Sequence, residues 1–377
     1  MKTMLNFLKE RRNERLTLQT FTEVDSLILS QLVYLNIEAF APFLSDVESS
    51  SLYISNINIE ENLDLLVSGT FFPSSNKQLL KLLKNCLRYK GLKVNYWQNL
   101  TDEEKTIQFT ACTFFVNDVT YVCFRGTDCS LIGWEENFNM ALYKVIPAQD
   151  LAVKYLDKVG ERISGQLIVG GHSKGGNLAQ FSSVFCKQPI QNRIIKVYNH
   201  DGPGFHLNIF SCDEYIRIAS RIEKSIPYGS FIGNLFNNFQ PYKTVKCNSF
   251  FLIQHNPFNW GVRNGKFIQK KHKGKITQTI AKSLIEWVNT LNMEERNIFI
   301  RQLFELFYQS NINSVTDFKK KTISKLVKMK KEYEKLPEKK MIAEKLGELI
   351  KVFKKNLRLA RLTDKRDLTV EFFIPNK

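Results

Sequence analysis

The sequence predicts an α/β fold: a mostly parallel central sheet flanked by helices, with a helical N-terminal region before it and a long, basic, helical C-terminal extension after it. Three observations carry that expectation. Between Ile107 and Ile253, β-rich runs alternate with helical stretches over short connections, the pattern of a mainly parallel sheet covered on both faces. Within that alternation, an apolar run ending at Val169 enters a glycine-rich turn and leaves at once into an apolar helix. After Lys275 the β texture stops and lysine-rich helical stretches take over. The division that follows is 1–106 for a helical N-terminal region packed on the core, 107–275 for the core, and 276–377 for the extension.

Taken in order, Thr22-Glu23-Val24-Asp25 leads into SLILSQLVYLNIEAF, where Leu27, Leu29, Leu32, Tyr34 and Leu35 approximate an amphipathic stripe. Ser75-Asn76 has the chemistry of a helix cap for KQLLKLLKNCLRY. IQFTACTFFV and VTYVCFRG, separated by Asn117-Asp118, read as a β-hairpin. Helices are expected over 148–164, 174–187 and 213–224. Strands are expected over 166–171 and 193–200, with a further β-rich segment over 244–253. The extension reads as two helical stretches, 276–309 and 319–359, the second broken near Pro337.

Composition narrows the class. A chain of 377 residues makes one large domain or two smaller ones, and 43% hydrophobic with 24% charged residues excludes a disordered or collagen-like chain. The most apolar stretch, 27–44, carries Gln31, Asn36 and Glu38, which a bare membrane-spanning helix would not tolerate. MKTMLNFLKERR is too interrupted by polar residues to be a secretory leader, and seven cysteines without a C-x-x-C pair argue against a disulfide frame or a zinc cluster. A cytoplasmic protein is expected. Of the formal charge of +17, most lies in 319–366, where 18 Lys and Arg face 6 Asp and Glu. Such a tail suits a tether to an acidic surface such as an anionic membrane, with the protein peripheral to it; a lysine-rich solvated helix is the plainer alternative. The tail lacks the aromatic interleaving of a nucleic-acid platform, so nucleic acid is not expected as a partner.

The segment that carries chemistry is QLIVGGHSKGGNLAQFSSVF, with Gly171-His172-Ser173-Lys174-Gly175 at its centre. G-x-S-x-G alone is a common accident; between a buried strand and an apolar helix it is the setting that lifts a serine out of a sheet as a nucleophile. A serine hydroxyl needs a base, usually histidine, and the chain offers His172, His200, His206, His255 and His272. His172 precedes the serine and should project away from it, packing or bonding locally. His272 lies in the cationic KKHKGK. His255 follows the β-rich SFFLIQ and enters a loop with Pro257 and Trp260, where the last strand should deliver a base; His206 is second. No H-E-x-x-H, P-loop or dinucleotide fingerprint is present, so neither a metal nor a cofactor is expected.

GGHSKGGNLA, with FRGTD at 124–128, DGPGF at 201–205 and QHNPFNW at 254–260, resembles the Mbeg1-like bacterial proteins. That resemblance spans roughly 21–266 and implies an α/β-hydrolase-type fold similar in layout to the class 3 lipases. The resemblance says little about substrate; together with the nucleophile setting at Ser173 the expectation is a serine esterase or lipase-like hydrolase that cleaves a small-molecule or lipid ester, or a thioester, through an acyl-enzyme. The class 3 lipases take their acid from a D-x-V-P turn, which aligns here with Lys224-Ser225-Ile226-Pro227; lysine cannot serve as that acid. The expected acid is therefore Asp201, in the D-G-P-G turn at a strand end, with Glu223 or Asp213 as alternatives. The oxyanion hole is expected from the backbone N–H of Lys174 and from Thr127, which stands where those lipases place a Ser or Thr after F-R-G. Arg125 would brace that loop. Trp134 and Phe138 could line an acyl pocket or seat a helix, and Trp260 joins them as a pocket residue. The competing reading is a catalytically inactive α/β-hydrolase-fold protein that binds or scaffolds.

Overall fold

The structure, a computed structural model, describes residues 1–40, 51–140, 143–205, 209–236, 239–249, 251–271, 274–312, 314 and 322–362. His206 and His272 lie outside the described residues. Helices α1 (Met4–Arg11) and α2 (Glu23–Leu32) open the chain; β1 (Leu52–Tyr53), α3 (Ile59–Val67), α4 (Pro73–Lys84) and β2 (Lys93–Asp102) follow. The hairpin β3 (Ile107–Val116) and β4 (Val119–Phe124) leads through α5 (Leu131–Asn139) and α6 (Pro147–Arg162) to β5 (Leu167–His172) and α7 (Lys174–Phe185). The short α8 (Gln188–Gln191), β6 (Ile194–His200), α9 (Asp213–Ile218), β7 (Ile222–Pro227) and β8 (Lys243–Val245) complete the sheet, beside a small hairpin of β9 (Val262–Arg263) and β10 (Lys266–Phe267). The extension holds α10 (Lys275–Thr290), α11 (Met293–Gln309), α12 (Thr322–Lys335) and α13 (Lys339–Leu362).

Eight strands lie side by side in chain order, antiparallel from β1 to β4 and parallel from β4 to β8. Side chains alternate across the sheet, as the period of two requires. On β4, Val119, Tyr121 and Cys123 enter the core beneath α1–α4, whereas Val122 and Phe124 enter the core beneath α6, α7 and α9. A third apolar cluster joins α5 to α10, α11 and the start of α13 through Leu131, Trp287, Phe299, Phe304 and Ile342. No described helix is long and apolar enough to cross a membrane.

Several local expectations need correction. Between 1 and 106 the chain is not only helical, because β2 is a full sheet strand. Ser75-Asn76 does not cap α4, which starts two residues earlier at Pro73. Asn76 is instead buried inside the helix, donating to the Thr70 hydroxyl at 3.0 Å and accepting from Gln31. The helix expected over 213–224 ends at Ile218, and Ile222–Pro227 is β7. The β-rich 244–253 keeps only β8, because Val245 and Cys247 turn to bridge Gln269 and Trp260 and Phe251–His255 forms a 3-10 turn.

Candidate active site

β5 ends at His172 and α7 starts at Lys174, so the reversal is made at Ser173, held at φ 61° and ψ −134°. A non-glycine residue there is strained by about 1–3 kcal/mol and persists only when its surroundings dictate it. They do: the Ser173 N–H donates to the His200 carbonyl at 2.9 Å, and the flanking glycines permit the approach. A Cβ on Gly171 would collide with the Gly175 backbone, and one on Gly175 with the Phe124 carbonyl. Ser173 itself is half-buried and therefore reachable from solvent.

One strand over, β6 ends at His200 and the next residue, Asp201, is also left-handed at φ 54°. Its N–H donates to the Ser225 carbonyl at 2.7 Å, which fixes the carboxylate at the carboxyl edge of the sheet. Oδ2 accepts from His255 Nδ1 at 2.6 Å and from the Ser230 hydroxyl at 2.7 Å. Oδ1 has no hydrogen-bond partner among the described residues. Burial raises the Asp201 carboxyl above the usual carboxylate range, opposed by the His255 and Ser230 bonds and by the Lys224 ammonium. Lys224, buried on β7, is pushed down to about 7 by the same lack of solvent, with Asp201 opposing. A neutral His255 that donates from Nδ1 presents the lone pair of Nε2, the form a general base needs.

His172 does more than pack. Its ring stacks on the ring of His255 at 4.5 Å, and its Nε2 lies 3.0 Å from the His255 carbonyl oxygen. A carbonyl only accepts, so His172 carries its proton on Nε2. Complete burial and the two neighbouring imidazoles hold it well below its ordinary value, hence neutral. Tyr34 closes the other side, its hydroxyl donating to the His172 carbonyl at 3.1 Å. His255 is thus gripped at its ring by Asp201 and His172 and at its backbone by His172.

The loop after β4 borders Ser173 on its other flank. A Cβ on Gly126 would stand 2.9 Å from that of Ser173. Thr127 is buried, and its hydroxyl accepts from Asn137 Nδ2 at 2.6 Å, which leaves its own proton free to donate. Arg125 pairs with Asp128 at 3.3 Å, and Asp128 also accepts from Gln108 and Ser130, so Arg125 does brace the loop. The Lys174 ammonium is buried against Glu136, the Gln108 carbonyl (2.6 Å) and Gln108 Oε1 (2.9 Å).

Of the residues singled out from sequence, Asp201 and His255 bond directly, while Ser173, Thr127 and Lys174 sit on the adjoining elbow and loop. Glu223 is engaged elsewhere, by Lys196 and by Lys243 at 2.7 Å, and Asp213 opens α9. The aromatic trio corrects the expectation of a pocket. Trp260 is fully buried, its indole N–H donating to the Gln254 carbonyl at 3.0 Å, and it buttresses His172 edge-on. Phe138 packs edge-on against Phe304 at 5.4 Å and Trp134 joins the same cluster, so both seat the C-terminal helices on α5. Sequence reasoning sets His172 aside as a local packing residue, places Tyr34 only in an amphipathic stripe, and does not single out Ser230 or Asn137; Ser230 carries no local pattern at all.

A strained serine between a central strand and a buried helix, at the carboxyl edge of a largely parallel sheet, defines the α/β-hydrolase class of fold. The chain belongs to the Mbeg1-like family, whose model matches residues 83–305, more than half its length. That match begins later than the resemblance read from the motifs and runs on into α11. No curated protein matches the sequence. Among solved structures, the crystal structure of M37 lipase is similar at 14% identity and a TM-score of 0.37, over 65% of this chain and 84% of that one. A deletion mutant of Rhizomucor miehei lipase in its propeptide complex is similar at 13% identity and a TM-score of 0.34, over 68% and 96%.

Proposed function

We propose that the protein is a serine hydrolase that cleaves a carboxylic ester or thioester. Ser173 Oγ attacks the substrate carbonyl while its proton passes to His255 Nε2, and Asp201 holds the imidazole in the required tautomer and balances its charge. The carbonyl electrons move onto oxygen, where the Lys174 N–H and Thr127 donate. Collapse of the tetrahedral adduct expels the alcohol or thiol, which takes the proton from His255. Water, deprotonated by the same imidazole, then releases the acid and returns Ser173. The observation that carries this reading is the 2.6 Å bond from His255 Nδ1 to a carboxylate that directly follows the strand beside the Ser173 elbow.

The test is covalent. A fluorophosphonate probe should label the wild type, Ser173→Ala should abolish labelling, and p-nitrophenyl esters of increasing chain length should define the acyl preference. Labelling that survives Ser173→Ala refutes the assignment; a wild type that neither labels nor turns over any ester favours a binding or scaffolding protein instead.

We further propose that the extension rests on anionic membrane surfaces. What supports this is α13, where Leu346 and Ile350, one turn apart, are 42% and 53% exposed and border exposed Lys351, Lys354 and Arg358. An apolar ridge beside a basic stripe is the chemistry of an interfacial helix.

A further inference from the structure

The residue after a nucleophilic serine lends its backbone N–H to the oxyanion, and that task makes no demand on its side chain. Here the side chain is a lysine, 1% exposed, whose ammonium meets the carboxylate of Glu136, itself fully buried. A buried ion pair costs several kcal/mol of desolvation per charge, so apolar side chains of the same volume usually serve stability as well or better. Stability alone does not account for the pair.

Its placement does. Glu136 lies on α5, and the next residue of that helix, Asn137, donates to the Thr127 hydroxyl at 2.6 Å. Gln108 on β3 closes the circuit, accepting from Lys174 at its carbonyl and Oε1 and donating to Asp128 at 3.2 Å. The elbow and the loop after β4 come from different parts of the chain, and α5 holds both. The opposite face of α5 is the seat of α11: Phe138 packs on Phe304, and Tyr308 donates to Glu135 at 3.3 Å.

We infer that Glu136 is a positioning residue of the oxyanion hole, fixing the Lys174 backbone N–H relative to Thr127 by clamping the Lys174 ammonium to α5. This rests on the hydrolase reading above. Glu136→Gln keeps the shape and removes the counter-charge; Lys174→Met keeps the backbone N–H and removes the ammonium. Each should lower kcat by about tenfold or more with KM within twofold of wild type. The inhibition constant of a trifluoromethyl ketone, which forms an oxyanion on Ser173, should rise in parallel. Should either single variant fold poorly, Glu136→Leu with Lys174→Met supplies an apolar pair that restores the unfolding midpoint; under the inference it does not restore kcat. Wild-type kcat and ketone affinity in folded variants would overturn the inference while leaving the hydrolase standing. A wild type that neither reacts with a fluorophosphonate nor hydrolyses any ester would overturn both.

Discussion

A carboxylate removed from water must share its charge, and Asp201 shares it with His255, Ser230 and the field of Lys224. Asp201→Asn keeps the volume but inverts the hydrogen bond: an amide that donates to Nδ1 forces the proton onto Nε2, the wrong tautomer. We expect kcat to fall by about 10³–10⁴-fold with the fold intact, measured as ester turnover beside an unchanged circular dichroism spectrum. The buried imidazoles set a pH dependence of their own. Burial holds His172 well below its ordinary value and lowers His200 to about 3. Near pH 6.5 the unfolded chain takes up protons that the folded chain refuses, so this stability is complete above that pH and lost as pH falls towards the folded values. Denaturant melts between pH 6.5 and 4 should show it, and His200→Gln should reduce the slope by about 1.4 kcal/mol per pH unit. An unchanged slope would remove His200 from the account. At this scale the sequence was legible where the chemistry is local. Ser173 announces itself by its flanking glycines, and Asp201 by a turn at a strand end. His172 reads from the sequence as packed or bonded locally, and nothing within ten residues says that its partner is the carbonyl of His255, 83 positions away.

Elements were legible wherever their period was unbroken. The β3–β4 hairpin, β5, α7 and β6 all follow from apolar runs bounded by turn residues. β2 was not, because its register shifts between Asn95 and Gln98, with Tyr96 at φ 53°, and that irregularity scrambles the alternation in KVNYWQNLTD. The start of β7 falls within the helix expected over 213–224, where the charged Arg221, Glu223 and Lys224 give no strand alternation. In the structure Arg221 donates to the Gln191 and Ile194 carbonyls and Lys224 is buried. The packing of α7 on β4 yields a sharp expectation. Gly175→Ala forces a methyl group into the Phe124 carbonyl oxygen, a backbone atom with no side-chain freedom to swing aside. It should destabilise the protein by about 3 kcal/mol or more, read as a lowered unfolding midpoint or loss of soluble protein. A variant as stable as wild type would show that the elbow is looser than described.

For the whole molecule, the question is what a basic, lysine-rich extension does beside a core that is itself basic. Most of the charge excess was visible in the sequence, but its geometry was not: α10 and α13 pack together while the ridge of Leu346 and Ile350 stays uncovered. If that ridge meets lipid, the full-length protein should sediment with vesicles containing phosphatidylglycerol and not with phosphatidylcholine alone. Binding should weaken as salt is raised, each basic residue contributing about 1 kcal/mol near the surface. Lys351→Glu with Lys354→Glu and Arg358→Glu should abolish it; retention of binding by that variant, or equal binding to neutral vesicles, would exclude this face.

Ser173 and Asp201 twist the wrong way for side-chain-bearing residues at the ends of adjacent strands, so the molecule carries tension where a helix and a loop leave the sheet side by side. Relief needs only the loss of a Cβ. Ser173→Gly should therefore melt at a higher temperature than Ser173→Ala, although both lack the hydroxyl, and the gap between those two variants would weigh the cost that the wild type carries in order to hold its hydroxyl out.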